Sequence, residues 1–196
     1  MVLSIPLGNS KLGLVPSFST LAHTTCPGAS EFCRLTCYAQ RYIRQYKQTA
    51  SAYQRNTDAR SDASFVEAMI TTIGAKPEFR IHVSGDFDSP AYIDKWTQIV
   101  TRCPDTKFWA YTRSWRTPEL LPALNQLRAL PNMQLFASTD PTISEDTPDG
   151  WRVAYLETDT RYRGMECLEQ NGKMPDCKSC GYCFIKPKGN VKFLIH

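Results

Sequence analysis

Hydrophobic and polar residues alternate along this chain with a period that changes from one region to the next. Residues 1–32 hold no sustained period. Pro6, Gly8, Gly13, Pro16, Pro27 and Gly28 interrupt them, which predicts an extended lead-in that wraps another part of the molecule, with a short strand at its start. Residues 36–56 contain neither Pro nor Gly. Within them Tyr38, Tyr42 and Tyr46 recur every four residues, with Ile43 and Tyr53 near the same face, so a helix is predicted. The tyrosine stripe reads as core packing rather than a stacking platform. Arg34, Arg41, Arg44, Lys47 and Arg55, which interleave with it, read as an ordinary solvated face. A second helix is predicted over residues 61–73, with Phe65, Val66, Met69 and Ile70 as its apolar stripe and Gly74 as its stop.

From residue 79 strands and helices take turns. FRIHVS (79–84), KFWAYT (107–112), MQLFAS (133–138) and RVAYLET (152–158) read as strands, whereas AYIDKWTQIV (91–100) and PELLPALNQLRAL (118–130) read as helices. Ser89-Pro90 opens the first of these helices, and Pro118 fits the first-turn position of the second. The alternation predicts an α/β fold: a partial (β/α) barrel or an open parallel sheet, followed by a cysteine-rich C-terminal tail. At 196 residues the chain is read as one domain, with an N-terminal cysteine loop and helix (1–60), a βα core (61–160) and a metal-binding tail (161–196).

Every predicted strand runs into a polar cluster: Ser84-Gly85-Asp86, Thr112-Arg113-Ser114, Ser138-Thr139-Asp140 and Glu157-Thr158-Asp159. Parallel α/β sheets bind ligands outside the carboxyl ends of their strands, so the four clusters are expected to share one rim. Ser84, Asp86, Arg113 and Asp140 are the expected substrate-positioning residues, with Ser138 beside them.

Composition narrows the class. At 42% hydrophobic and 21% charged, the chain is neither disordered nor fibrous. No run of about 18 apolar residues occurs, so no membrane-spanning helix is expected. Residues 1–13 lack a basic stretch followed by a long apolar one, and a cytoplasmic protein is expected. The net charge of +4 is uneven: residues 1–60 sum to +5, residues 61–160 to −5, and residues 161–196 to +4. Basic ends fit either cations beside an anionic thiolate-bound cluster or a surface for a polyanion. No phosphate-binding Walker loop, Gly-x-Gly-x-x-Gly or zinc-protease motif is present.

Eight cysteines change the picture most. In a reducing compartment clustered cysteines hold metal or do redox chemistry; in a secreted chain the same number would read as four disulfides. Cys177-x₂-Cys180-x₂-Cys183 has the spacing of ferredoxin-type ligands, and Cys167 is the natural fourth, so a 4Fe–4S cluster is expected with zinc as the competitor. Cys26-x₆-Cys33-x₃-Cys37 supplies three thiolates. Three leave one iron open for a substrate or cofactor; alternatively Cys103 or His23 completes the set, or both ends of the chain share one cluster. Cys103 otherwise reads as a small buried hydrophobe. His82 could face a barrel interior, but reads rather as a satisfied core histidine.

The stretches CPGASEFCRLTCYA (26–39), FRIHVSGDFDSPAYIDKW (79–96), FWAYTRSW (108–115) and CKSCGYCF (177–184) together resemble the gene product 88 family of phages and plasmids. More distantly, a three-cysteine loop entering a helix and a polar turn after a later strand are similar to radical SAM enzymes. In those, a Gly-Gly-Glu-type turn after the second strand holds the methionine part of S-adenosylmethionine, and some carry an auxiliary cluster in a cysteine-rich tail. The resemblance implies that Ser84-Gly85-Asp86 takes that place. The cysteine spacing is longer here than the usual C-x₃-C-x₂-C, and Asp86 stands for the glutamate. The expectation is therefore an iron–sulfur protein with one or two 4Fe–4S clusters, radical-SAM-like or another iron–sulfur enzyme. Its substrate would be a small molecule or a macromolecule, with no membrane partner. The alternatives are a non-enzymatic iron–sulfur protein that binds nucleic acid and a structural zinc protein.

Overall fold

The structure is a computed structural model, and residues 2–185 and 189–195 are described. Seven strands form one open, all-parallel sheet in the order β1-β2-β3-β4-β5-β7-β6. They are β1 (Ser17–Phe18), β2 (Glu78–Ile81), β3 (Lys107–Thr112), β4 (Met133–Ser138), β5 (Arg152–Leu156), β6 (Gly164–Glu166) and β7 (Asn190–Phe193). Of the two expected architectures the open sheet is the one formed. The helices are α1 (Glu31–Leu35), α2 (Tyr38–Gln45), α3 (Lys47–Ala59), α4 (Phe65–Ile73), α5 (Pro90–Arg102), α6 (Leu121–Ala129) and α7 (Cys177–Cys180).

The period-two alternation sorts each strand between two different environments. Phe79 and Ile81 of β2, Phe108 and Ala110 of β3, and Met133 and Leu135 of β4 point to one face. There they meet Phe65, Met69 and Ile73 of α4, Ile93, Trp96 and Ile99 of α5, and Leu124 and Leu127 of α6. Phe18, Phe65 and Trp96 meet edge-on, with ring centroids 5.5–6.3 Å apart, the geometry that aromatic quadrupoles favour. The intervening residues Arg80, Trp109, Tyr111, Gln134 and Phe136 point the other way, toward the lead-in and the C-terminal tail.

Several elements differ from the sequence reading. β3 and β4 fall on the expected residues. β2 stops at Ile81 because His82 turns out of the strand at φ 59. The helix expected over residues 36–56 is divided: Tyr46 is extended (φ −119, ψ 98) and separates α2 from α3. Both halves are tethered to the lead-in, by the Gln40 amide on the Ala22 carbonyl and by Asn56 on Ser4 and Ser19, and the bend at Tyr46 lets them pack against each other. Ser89 caps α5 by accepting from the Tyr92 N–H, with Pro90 in the first turn. Pro118 does not open α6; Pro122 takes that first-turn position. The tyrosine stripe is not core: Ala39 is the one buried residue of α2, and Tyr38, Tyr42 and Tyr46 are 40%, 55% and 48% exposed.

Candidate metal and substrate site

Because all strands are parallel, their carboxyl ends share one edge, and the residues after them are stitched together there. Asp86, after β2, accepts hydrogen bonds from the Phe87 N–H at 2.8 Å, the Thr112 hydroxyl at 2.6 Å and the Arg113 N–H at 2.8 Å. Arg113, after β3, donates to Asp140 at 3.2 Å. Asp140, after β4, also accepts from Ser30 at 2.6 Å and from Thr142 at 2.6 Å. Arg161 pairs with Asp159, after β5, at 2.7 Å and reaches the Thr139 hydroxyl and Asp140 carbonyl, both at 3.3 Å. Burial pushes the Asp86 carboxyl up to about 6, against the pull of its hydrogen bonds. Burial also opposes ionisation of Asp140, but bonds from Ser30 and Thr142 and the charge of Arg113 hold its carboxyl below the ordinary value.

The N-terminal cysteines sit on this edge because their loop follows β1. Ser30, which accepts from the Cys33 N–H at 3.0 Å and so caps α1, is the residue that fastens the loop to Asp140. Thr20 and Ser84 exchange hydrogen bonds of 3.0 Å and 2.9 Å across β1 and β2. Gly85 is required twice over. Its φ is +81, and a Cβ would lie 1.9 Å from the Thr20 hydroxyl oxygen. Gly28 lies so close to the end of β3 that a Cβ would meet the Arg113 carbonyl at 1.9 Å. Cys26, Cys33 and Cys37 are close enough that Cys33 and Cys37 both oppose ionisation of Cys26, and Cys37 opposes that of Cys33. Burial pushes Cys26 up to about 12 and raises Cys33, while the Arg113 charge favours the Cys33 thiolate.

The C-terminal cysteines are placed by a single helical turn. Asp176 caps α7, accepting from the Ser179 N–H at 2.7 Å, and the i, i+3 spacing puts Cys177 and Cys180 on one face. Gly181 ends α7 in the left-handed conformation (φ 69) and turns the chain so that Cys183 comes back. The Cys177 N–H donates to the Lys11 carbonyl at 2.8 Å, so the lead-in does wrap the tail, and the Cys167 N–H donates to the Lys192 carbonyl at 2.8 Å. Beneath them, the Arg152 guanidinium donates to the carbonyls of Tyr182, Cys183 and Gly189 and stacks on Phe136 at 4.1 Å. Burial pushes Cys177 up to about 12 and Cys183 up to about 11; Arg80 opposes both shifts, and Tyr111 also hydrogen-bonds Cys183.

All eight cysteines are free thiols, and seven of them (Cys26, Cys33, Cys37, Cys167, Cys177, Cys180 and Cys183) line one cavity of about 960 Å³. Ser84, Gly85, Asp86, Arg113 and Ser138 line it too, while Asp140 stands behind Arg113 and Ser30. Cys103 does not come near: it is buried in the helix-covered core. His82 is also a core residue, with Nε2 2.8 Å from the Tyr92 hydroxyl and its ring against Phe87. The His23 backbone N–H donates to the Cys26 sulfur, and the His23 Nε2 is buried without a partner among the described residues.

Sequence reasoning did not single out Arg80. It is 9% exposed, stacks on Tyr111 at 4.1 Å, and has no carboxylate partner among the described residues. Its charge reaches Tyr38 beside the N-terminal thiols and Cys177 and Cys183 of the tail, so it stands between the two groups. A charged residue at the polar position of strand FRIHVS was the available signal.

The donor set fits an iron–sulfur cluster in character. Thiols occur in a group of three and a group of four, cations face both, and the Arg113 Nε is buried with no partner among the described residues, an N–H of the kind that meets sulfide or thiolate. Among the described residues no three His, Cys, Asp or Glu side chains converge as they would on a single metal ion. A cubane spaces its thiolates more widely than one ion does. No helix among the described residues is long and apolar enough to cross a membrane.

No solved structure matches the chain. It is 28% identical to the Gene 88 protein of Mycobacterium phage L5, over 95% of this chain and 89% of that protein. It is also 28% identical to the Gene 88 protein of Mycobacterium phage D29, over 94% of this chain and 82% of that protein. The profile of the gene product 88 family matches residues 5–185, and the chain belongs to that family.

Proposed function

We propose that this protein is a cytoplasmic phage or plasmid iron–sulfur enzyme with two 4Fe–4S clusters, radical-SAM-like in the placement of its parts. The observation that carries the reading is the convergence of seven cysteines, in two groups, on one cavity at the carboxyl edge of a parallel sheet. Cys26, Cys33 and Cys37 would hold the first cluster with one iron open, and Cys167, Cys177, Cys180 and Cys183 the second. Bound there, such clusters supply one-electron chemistry, and with S-adenosylmethionine at the open iron they supply radical chemistry. In favour of that version, the cysteine loop follows β1 and the Ser84-Gly85-Asp86 turn follows β2, as the radical SAM arrangement requires.

The remaining steps belong to the chain's own residues. The Asp86 carboxylate is held by three hydrogen bonds and faces the cavity beside Cys26, where it can accept from an ammonium or hydroxyl group. Arg113 presents a cation next to Cys33, with Asp140 fixing its orientation. Arg80 balances charge between the two thiolate groups. Tyr38, Tyr111 and the lead-in wall the cavity and limit the water that reaches it.

The test is anaerobic reconstitution with iron and sulfide, followed by S-adenosylmethionine and a reductant. The expected result is 5′-deoxyadenosine, together with a change in the paramagnetic spectrum of one cluster when S-adenosylmethionine is added. No calorimetric binding and no 5′-deoxyadenosine remove the S-adenosylmethionine version. A colourless protein with stoichiometric zinc removes the iron–sulfur reading altogether.

A further inference from the structure

From residue 32 to residue 57 the chain has five basic side chains and no acidic one. Arg34, Arg41, Arg44, Lys47 and Arg55 are all exposed, and none is ion-paired among the described residues. Between them stand Tyr38 and Tyr42 on α2 and Tyr46 at its end, four residues apart. Tyr42 and Tyr46 lie with their rings 5.8 Å apart and tilted by 32°, about half of each side chain open to water. Exposed large aromatics are uncommon on a surface that has no partner, and here they form a row. The row leads inward. Tyr38, Arg41, Tyr42 and Gln45 line the same cavity as Cys37, and the Tyr38 hydroxyl donates to the Val83 carbonyl at its floor.

We propose that single-stranded nucleic acid lies along α2, its bases stacked on Tyr42 and Tyr46 and its phosphates on Arg41, Arg44 and Lys47, with its path directed into the cysteine-lined cavity. Aromatic faces accept any unpaired base, and a groove of uncompensated cations tracks the backbone. A duplex keeps its bases stacked on each other and has no face to offer. A membrane surface calls for Leu, Phe or Trp on the buried side of the helix, whereas this face is tyrosine and arginine. The inference names the substrate class of the proposed enzyme and rests on that reading for its chemistry, although strand binding itself needs only α2.

The experiment uses the anaerobically reconstituted protein and fluorescent dT₂₀ and rU₂₀ oligomers, followed by anisotropy from low to moderate salt. Binding to one or both is expected, with little to the corresponding duplex. Tyr42→Ala and Tyr46→Ala should each weaken binding about tenfold while leaving iron content unchanged. Arg41→Gln and Arg44→Gln should each lower the slope of log K against log salt by about 0.7. Tyr42→Phe, which keeps the stacking face, should bind like the parent. No binding at low salt, equal affinity for the duplex, indifference to the tyrosine changes, or capture instead by phosphatidylserine vesicles would each overturn the proposal. Strand binding that survives in Cys26→Ala/Cys33→Ala/Cys37→Ala protein, with no iron found in the parent, would sink the enzyme reading and leave this one standing.

Discussion

The two faces of the sheet are made by the same strands, yet they carry opposite chemistry. On the helix-covered face Phe79, Phe108 and Met133 are sealed among Trp96, Leu124 and Leu127, and the one cysteine present, Cys103, is buried as a member of the same apolar cluster. One residue along each strand, Arg80, Trp109 and Gln134 point to the other face, where the remaining seven cysteines gather. The comparison shows how a chain of this size keeps an apolar core apart from a cavity lined by thiols and cations. The first face closes with ordinary hydrophobic packing, and the second is closed by a lead-in and a tail that pin each other. Cations and thiols can then occupy an interior that would otherwise have to be apolar.

The comparison can be broken most severely from the first face. Trp96→Ala removes the centre of the aromatic cluster and should cost about 3–5 kcal/mol in urea unfolding. Iron bound per folded molecule should not change. A loss of iron in proportion greater than the loss of fold would show that the two faces are not independent.

Gly85→Ala attacks the seam between them. The left-handed backbone costs about 1–2 kcal/mol, and forcing a methyl group against Thr20 adds about 1–3 kcal/mol. Here stability and cofactor binding should fall together, as read by thermal melting and by calorimetry with S-adenosylmethionine. A variant as stable as the parent would contradict the packing described at Thr20.

A smaller effect concerns pH. Burial, reinforced by Arg60 and Arg80, holds His82 well below its ordinary value of 6.5. Above that value the histidine is neutral in both folded and unfolded chains and contributes no slope. As pH falls below it, the unfolded chain takes up a proton that the native one refuses, so stability should drop by up to about 1.4 kcal/mol per pH unit. Asp86, pushed up to about 6, works in the opposite sense between its ordinary 3.8 and that value, since there the native state holds the extra proton. The difference between parent and His82→Asn in urea melts at pH 7.5 and 5.5 isolates the histidine, because asparagine tolerates the positive φ. Identical slopes would refute the assignment.

Smallest of all should be Cys103→Ala, at about 1 kcal/mol, with iron and sulfide content unchanged. It is the internal control for the seven cysteines on the opposite face.

Much of this was legible in the residues. KFWAYT and MQLFAS gave β3 and β4 without error because alternation and aromatic content agree there, and Ser89-Pro90 marked the start of α5 because cap and first-turn chemistry are local. The tyrosine stripe misled: period four shows that side chains share a face, but which face turns inward was decided by Ala39 and by the tethers of Gln40 and Asn56, which are tertiary. Tyr46 broke a run without Pro or Gly for the same reason. β6 and β7 were hidden because each is short and their pairing joins segments distant in the chain. At the site, cysteine spacing displayed the two groups, and the polar strand ends displayed the rim. What spacing cannot display is that both groups open onto one cavity, or that Arg80 stands between them.

The most direct measurement is anaerobic counting of iron, sulfide and zinc in the parent, in Cys26→Ala/Cys33→Ala/Cys37→Ala and in Cys177→Ala/Cys180→Ala/Cys183→Ala. Two clusters predict about eight irons and eight sulfides per chain, with each triple variant retaining about half. No iron in the parent, or a full complement that neither set of substitutions diminishes, would contradict the account.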